Sequence, residues 1–205
     1  NGMFLNYSVT TEGEGTGSTA NVLLRVGGVG STTYVDLEQG DRLLVDVLEE
    51  NQELSKQTLG VIHSYIGTFE TDDVGAEFVL NFERSNLDSA PSSIATLPAA
   101  FNLTAPEEDT VLSRTDDTAE LVISWDNDAT EVMSIEVEGT CFTTYIGEEN
   151  SSVGSHVIPM SFFHDNETEA SACQANVIVE RRKAGTLDPN FSEGNVYGAQ
   201  VRVAS

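Results

Sequence analysis

Short runs of alternating apolar and polar residues, separated by turns rich in Gly and Asp, constrain this chain more than any other feature. In the first half such runs include residues 4–10, 42–48 and 76–83, and the second half continues with 119–125 and 133–138. Period-two alternation is typical of strands that have one face on a core and the other in water. No long window of the sequence has the period of an amphipathic helix. The sequence therefore predicts an all-β fold.

The remaining predicted strands are shorter or less regular. They are residues 21–26, 33–37, 58–70, 101–105, 141–146, 156–162, 173–180 and 197–203. The polar segment 49–57 (EENQELSKQ) fits a helical turn about as well as a polar loop. So many short strands favour β-sandwiches over a mixed α/β fold.

A proline-bearing segment separates the two groups of predicted strands. Residues 85–100 read SNLDSAPSSIATLPAA, with prolines at Pro91 and Pro98. Proline lacks a backbone donor and is disfavoured in helices and central strands. We therefore expect two consecutive immunoglobulin-like β-sandwich domains, residues 1–84 and 101–205, joined by a linker at 85–100.

The second predicted domain carries a resemblance to a known family. An opening strand precedes Pro106, a later strand ends in Ser-Trp at Trp125, and an acidic turn and further alternating strands follow. This order resembles a fibronectin type III or related immunoglobulin-like module. The resemblance implies a β-sandwich used as a spacer or binding surface, with Trp125 in its core and no particular ligand. The first half resembles a looser immunoglobulin-like sandwich, with Phe78 at a corner where many such modules carry tyrosine.

The two cysteines, Cys141 and Cys173, belong to no C-x-x-C or Cys/His metal pattern. An even count in an acidic, strand-rich chain favours one disulfide and an oxidising compartment, and two buried free thiols are the alternative. We therefore expect an exported protein that is periplasmic, at the cell surface or extracellular, with a lipid anchor upstream as one form of attachment. No segment reaches the roughly 18 apolar residues of a membrane-spanning helix.

The net charge of −25 arises from 34 Asp and Glu against 9 Lys and Arg. A field of this sign repels phosphate backbones and anionic lipids, so nucleic acid is not an expected partner. Three interpretations of the acidity remain, namely solubility in salty surroundings, bound divalent cations, or a basic partner.

The acidic turn after Trp125 is the best candidate metal site. Asp126, Asn127 and Asp128 follow the predicted strand directly, and Glu131 is close in sequence. Hard oxygen ligands clustered in a loop suit Ca²⁺. The glycine of an EF-hand loop is missing, however, and a solvated acidic turn is the alternative interpretation. No other cofactor is expected.

The only basic cluster is Arg181-Arg182-Lys183. We expect it at the tip of the hairpin between the last two strands. There it would serve as a binding contact for an anionic group, as an intramolecular counter-charge, or as a charged hairpin end that resists edge pairing.

No catalytic motif is evident. The pattern G-x-S-x-G is absent, and His63, His156 and His164 lack the spacing of a zinc protease. The sequence therefore predicts a non-enzymatic exported binding or scaffolding protein with a protein or glycan partner. A calcium-dependent carbohydrate-binding or adhesion module is one alternative, and a small hydrolase is another.

Overall fold

A computed structural model describes residues 2–27, 30–113, 116, 118–126, 130–164 and 173–205. Within these residues the chain forms strands and two short 3₁₀ turns, with no α-helix. The predicted all-β class is therefore confirmed. The chain divides into two compact units. Unit 1 comprises residues 1–98 and 183–200, and unit 2 comprises residues 99–182 and 201–205.

Nine consecutive strands belong to unit 1. They are β1 (Met3–Thr11), β2 (Ser18–Val26), β3 (Thr33–Tyr34), β4 (Arg42–Val47), β5 (Glu50–Glu53), β6 (Ser55–Leu59), β7 (Ile62–Phe69), β8 (Glu77–Glu83) and β9 (Ala90–Thr96). The next strands belong wholly or largely to unit 2. They are β10 (Leu103–Ala105), β11 (Glu120–Trp125), β12 (Val132–Gly139), β13 (Tyr145–Asn150), β14 (Ser155–Pro159) and β15 (Ala175–Ala184). The last strand, β16 (Glu193–Ala204), lies mostly in unit 1.

Unit 1 encloses its core between two sheets. One has the strand order β16-β1-β2-β7-β6, with β3 paired to β2, and the other has the order β5-β4-β8-β9. Alternate residues of β1, namely Leu5, Tyr7 and Val9, are fully buried. The Tyr7 hydroxyl donates to the carbonyl of Phe78 on β8 at 3.2 Å. Burial raises the pKa of Tyr7, so this phenol stays a neutral donor inside the core.

Strand β9 lies within residues 85–100, the segment expected to be a linker. It is an edge strand of its sheet, and an edge position tolerates a proline such as Pro91. The backbones of Ile94 and Thr186 exchange two hydrogen bonds, both 2.8 Å long. Residues 183–200, which the sequence analysis placed in the second domain, thus belong to unit 1.

The segment 49–57 forms strands β5 and β6 instead of a helical turn or a polar loop. β5 pairs with β4, and β6 pairs with β7. Leu54, between β5 and β6, is buried in the core, and its backbone nitrogen donates to the Leu43 carbonyl at 2.8 Å. Strand pairing and this burial outweigh the local preference for helix.

Unit 2 also has two sheets, with strand orders β10-β11-β14 and β13-β12-β15. Both contribute to one apolar core, to which Ile123, Met133 and Val179 belong. Trp125 is 4 % exposed, and its indole nitrogen donates to the Ser151 carbonyl at 2.8 Å. The prediction that Trp125 is a core residue is therefore confirmed, and the architecture is compatible with a β-sandwich.

Two strands of unit 2 differ in extent from their predictions. The strand expected at 141–146 is β13, which begins only at Tyr145, because Cys141 lies in the turn that follows β12. The strand expected at 156–162 ends at Pro159 and continues as the 3₁₀ turn Met160–His164. Proline cannot donate to a ladder, which fits the end of pairing there.

Candidate functional site

Cys141 and Cys173 form a disulfide in unit 2, with their Cα atoms 6.1 Å apart. The predicted pairing is therefore confirmed, and the alternative of two free thiols is excluded. Cys141 is buried beside Phe142 in the unit 2 core. The bond ties the turn after β12 to the chain that enters β15, which joins two segments 32 residues apart.

Of the four residues predicted as calcium ligands, the structure describes two. Both oxygens of the Asp126 carboxylate accept from the Asn102 backbone nitrogen, at 3.0 and 3.1 Å. One oxygen of Glu131 accepts from the Thr130 backbone nitrogen at 3.1 Å. Asn127 and Asp128 lie outside the described residues. The described part of the chain contains no group of three or more metal-ligating side chains, and calcium binding stays a prediction.

Arg181 lies in the interior of unit 2, although the sequence analysis placed it at a hairpin tip. It belongs to β15, and its side chain is fully buried. Its guanidinium donates to the carbonyls of Ala100 and Asp126, both at 2.8 Å, and it lies 5.1 Å from the centre of the Phe101 ring. These contacts give Arg181 a structural role, in which one cation binds together strands distant in sequence.

The other members of the predicted basic cluster also lie in β15, since that strand continues to Ala184. Arg182 pairs with Glu180 at 2.6 Å, and Lys183 is exposed. The cluster is therefore divided into one buried, one paired and one exposed cation. Binding of an anionic group by Arg182 and Lys183 stays a prediction.

An apolar groove with a volume of about 1070 Å³ opens at one end of unit 2. Its floor consists of core side chains from both sheets and from the turns beside the disulfide. They are Leu121, Val137, Phe142, Met160, Phe163 and Val177. Each of these side chains is at most 7 % exposed. A concave apolar groove of this volume is typical of a small-molecule binding site.

The segment 106–113 forms one wall of the groove. The Asp109 backbone nitrogen donates to the Ser205 carbonyl at 2.9 Å, which fixes the segment beside the last residues of unit 2. Val111 is 93 % exposed and Leu112 is 37 % exposed. Two exposed apolar side chains thus line the groove together with the buried core residues.

The charged residues that line the groove are acidic. Glu107 and Asp109 lie on its wall, and Gln174 and Asn176 supply neutral polar groups. None of the lining residues in the described part of the chain is Lys, Arg or His. The charges on the described lining residues are therefore all negative.

Aromatic side chains connect the groove to a polar contact between the two sheets. Phe163 packs on Phe162 with ring centres 5.5 Å apart, and Phe162 packs on Tyr145 at 5.0 Å. The Tyr145 hydroxyl lies 2.6 Å from Nε2 of His156. The other ring nitrogen of His156 lies 3.7 Å from the Glu149 carboxylate. This chain of contacts holds the 3₁₀ turn that carries Met160 and Phe163.

Sequence reasoning missed the groove. Its floor uses residues from β11, β12 and β15, which only long-range packing brings together. One local signal was present, because Val111 and Leu112 interrupt an otherwise polar stretch between Glu107 and Asp116.

The described residues define an all-β protein built from two-sheet units. No protein-family model matches the chain, and no curated protein matches it either. In the described part of the chain, no helix is long and apolar enough to cross a membrane.

Proposed function

We propose that this protein is a non-enzymatic, exported binding protein, and that the groove of unit 2 holds an apolar ligand with a neutral or cationic polar end. One observation carries the proposal. Val111 and Leu112 are exposed, and both line an apolar groove with a volume of about 1070 Å³. A ligand in the groove would cover both side chains, and the loss of exposed apolar surface is the main favourable contribution to most association.

The charge of the groove selects among apolar ligands. Glu107 and Asp109 line it, and no basic side chain does so among the described residues. The chain as a whole carries −25, which adds a long-range repulsion of anions. A fatty acid would therefore bind less well than a neutral or cationic amphiphile of the same chain length.

The arrangement of unit 2 supports a type III-like binding module. Three strands with the order β10-β11-β14 and three with the order β13-β12-β15 enclose one core, with Trp125 at the end of β11. Sandwiches of this kind commonly bind partners through the loops at one end. The disulfide between Cys141 and Cys173 supports export, since such bonds persist in oxidising compartments.

Isothermal titration calorimetry on the full chain tests the ligand class. The probes are decyltrimethylammonium and decanoate, which share a chain length and differ in charge, each used below its micelle concentration. We expect saturable binding of the cation and at least about tenfold weaker binding of the anion, a factor that corresponds to about 1.4 kcal/mol.

Two variants locate the binding. Leu112→Asn places a neutral polar group at the groove and should weaken binding of decyltrimethylammonium by loss of apolar contact. Val153→Asn is the matched control, because Val153 is 55 % exposed and does not line the groove. Equal affinities for the two probes, or an unchanged affinity in Leu112→Asn, would contradict the proposed function.

A further inference from the structure

The hairpin that joins β6 and β7 exposes an apolar tip. Leu59 pairs with Ile62, so the turn consists of Gly60 and Val61 alone. Gly60 has a φ of 61°, which suits glycine at a tight hairpin turn. Leu59 is 80 % exposed, Val61 is 77 % exposed and Ile62 is 36 % exposed. Three large aliphatic side chains therefore meet water at one narrow point, which we call the hairpin tip, residues 59–62.

The hairpin is free of carboxylates in a chain that is rich in them. Residues 54–69 contain no Asp or Glu, whereas the whole chain has 34 in 205 residues. The residues next to the tip are polar, and the Thr58 hydroxyl lies 3.2 Å from Nδ1 of His63. The tip can therefore leave water without the desolvation of a negative charge.

The base of the hairpin is held in place within unit 1. The Lys56 ammonium donates to Asp36 at 2.7 Å, which balances the only Lys or Arg of the hairpin. The Tyr65 hydroxyl, on a residue that is 2 % exposed, accepts from the Leu37 backbone nitrogen at 3.0 Å. Every residue of β6 is exposed, so that strand does not cover the core. The hairpin is thus held at its base, and the exposed side chains at its tip are not part of the unit 1 core.

We propose that the hairpin tip inserts into the surface of a neutral lipid bilayer. The side chains at the tip are aliphatic, and they lack the Trp, Tyr or Arg that usually anchor a protein–protein contact. Aliphatic groups flanked by hydroxyl and amide side chains match the boundary between acyl chains and headgroups. Because the chain carries a net charge of −25, anionic lipid repels it, and we expect the tip to bind zwitterionic lipid.

Flotation of the full chain with phosphatidylcholine vesicles tests this proposal. We expect a fraction of the protein to float with the vesicles, and that fraction to fall when anionic phosphatidylglycerol is added at low salt. In the double variant Leu59→Asp/Val61→Asp the bound fraction should fall at least about tenfold, because the charges would have to enter the bilayer. Leu87→Asp is the matched control in unit 1, since Leu87 is 60 % exposed and lies outside the hairpin.

A second measurement reports the depth of the tip. In Val61→Trp, the added indole should be quenched by bromine atoms on the acyl chains, and in Leu87→Trp it should not. Absence of wild-type flotation would overturn the proposal, and so would equal quenching at both positions. Failure of flotation combined with a dimer in sedimentation that the double variant abolishes would overturn it in favour of a contact between two copies. The groove variant Leu112→Asn should float like the wild type, so this proposal and the proposed function fail separately.

Discussion

The guanidinium of Arg181 donates to the backbone carbonyl of Asp126 at 2.8 Å and lies 3.5 Å from a carboxylate oxygen of the same residue. The Arg181 side chain is fully buried, whereas that of Asp126 is 36 % exposed. The carboxylate on which the calcium hypothesis rested is thus the counter-charge of a buried cation. To bind Ca²⁺, the Asp126 carboxylate would also have to give up its hydrogen bond from the Asn102 backbone nitrogen.

Replacement of Arg181 by Lys should destabilise unit 2 although the charge is kept. A single ammonium cannot reproduce the planar fork that reaches Ala100 and Asp126 together. We expect a loss of about 2–3 kcal/mol in urea unfolding, which is typical of buried hydrogen bonds to a charged group. Arg182→Lys is the matched control, because that side chain is 34 % exposed and should change stability by less than about 1 kcal/mol. Equal losses in the two variants would refute the structural role of Arg181.

Removal of the disulfide should lower stability through the unfolded state. Cys141 and Cys173 are 32 residues apart in sequence, and closing a loop of that length corresponds to roughly 3–4 kcal/mol in the chain-entropy model. We expect the double variant Cys141→Ala/Cys173→Ala to show a loss of this size in chemical denaturation. Addition of a reductant should destabilise the wild type and leave the double variant unchanged. A wild type that is indifferent to reductant would contradict the prediction.

Glu50 should give unit 1 a dependence on acid pH. A hydrogen bond from the Thr71 hydroxyl, helped by the backbone nitrogens of Glu70 and Thr71, holds the pKa of Glu50 below its ordinary value. A lowered folded-state pKa gives stability that is complete above the ordinary carboxyl pKa of about 4.3 and is lost as the pH falls through the folded value. Glu50→Gln should therefore melt below the wild type at pH 7, and the difference should shrink at acid pH. Wild-type and Glu50→Gln melting curves that stay parallel down to acid pH would contradict this prediction.

Salt should stabilise the whole chain. With a net charge of −25, like charges repel in the folded state, and a rise from about 0.01 to 1 M NaCl shortens the screening length from about 30 to 3 Å. We expect the melting temperature to rise over this range and calcium chloride at equal ionic strength to give the same rise. A much larger rise with calcium would instead support specific divalent binding, and a fall with NaCl would contradict the screening argument.

Much of the fold could be predicted from alternation alone. The strand predicted at 42–48 is β4 and that at 119–125 is β11, because in each strand every second residue is apolar and buried in a core. Strand β9 escaped prediction because its residues are small and polar and include Pro91. An edge position tolerates such residues, and an edge position is decided by neighbours distant in sequence.

The candidate sites were less predictable than the strands. Three consecutive basic residues normally indicate a surface, and nothing local shows that Arg181 meets the carbonyl of Ala100, which is 81 positions away. The hairpin tip could not be predicted for a different reason. Residues 58–70 read as one continuous strand, and Gly60 within it gave no sign that the chain reverses there.

The parallel pairing of β1 with β16 has a consequence for the order in which the molecule is completed. Strand β1 pairs with β2 on one side, but on the other side the partners of its residues 4–11 are residues 193–200, and the whole of residues 99–182 is made in between. A ribosome therefore releases most of unit 2 before unit 1 has its last strand. Strand β1 stays unpaired along one edge until residues 193–200 have been made, and a chain that stops at residue 182 leaves that edge open to neighbouring molecules.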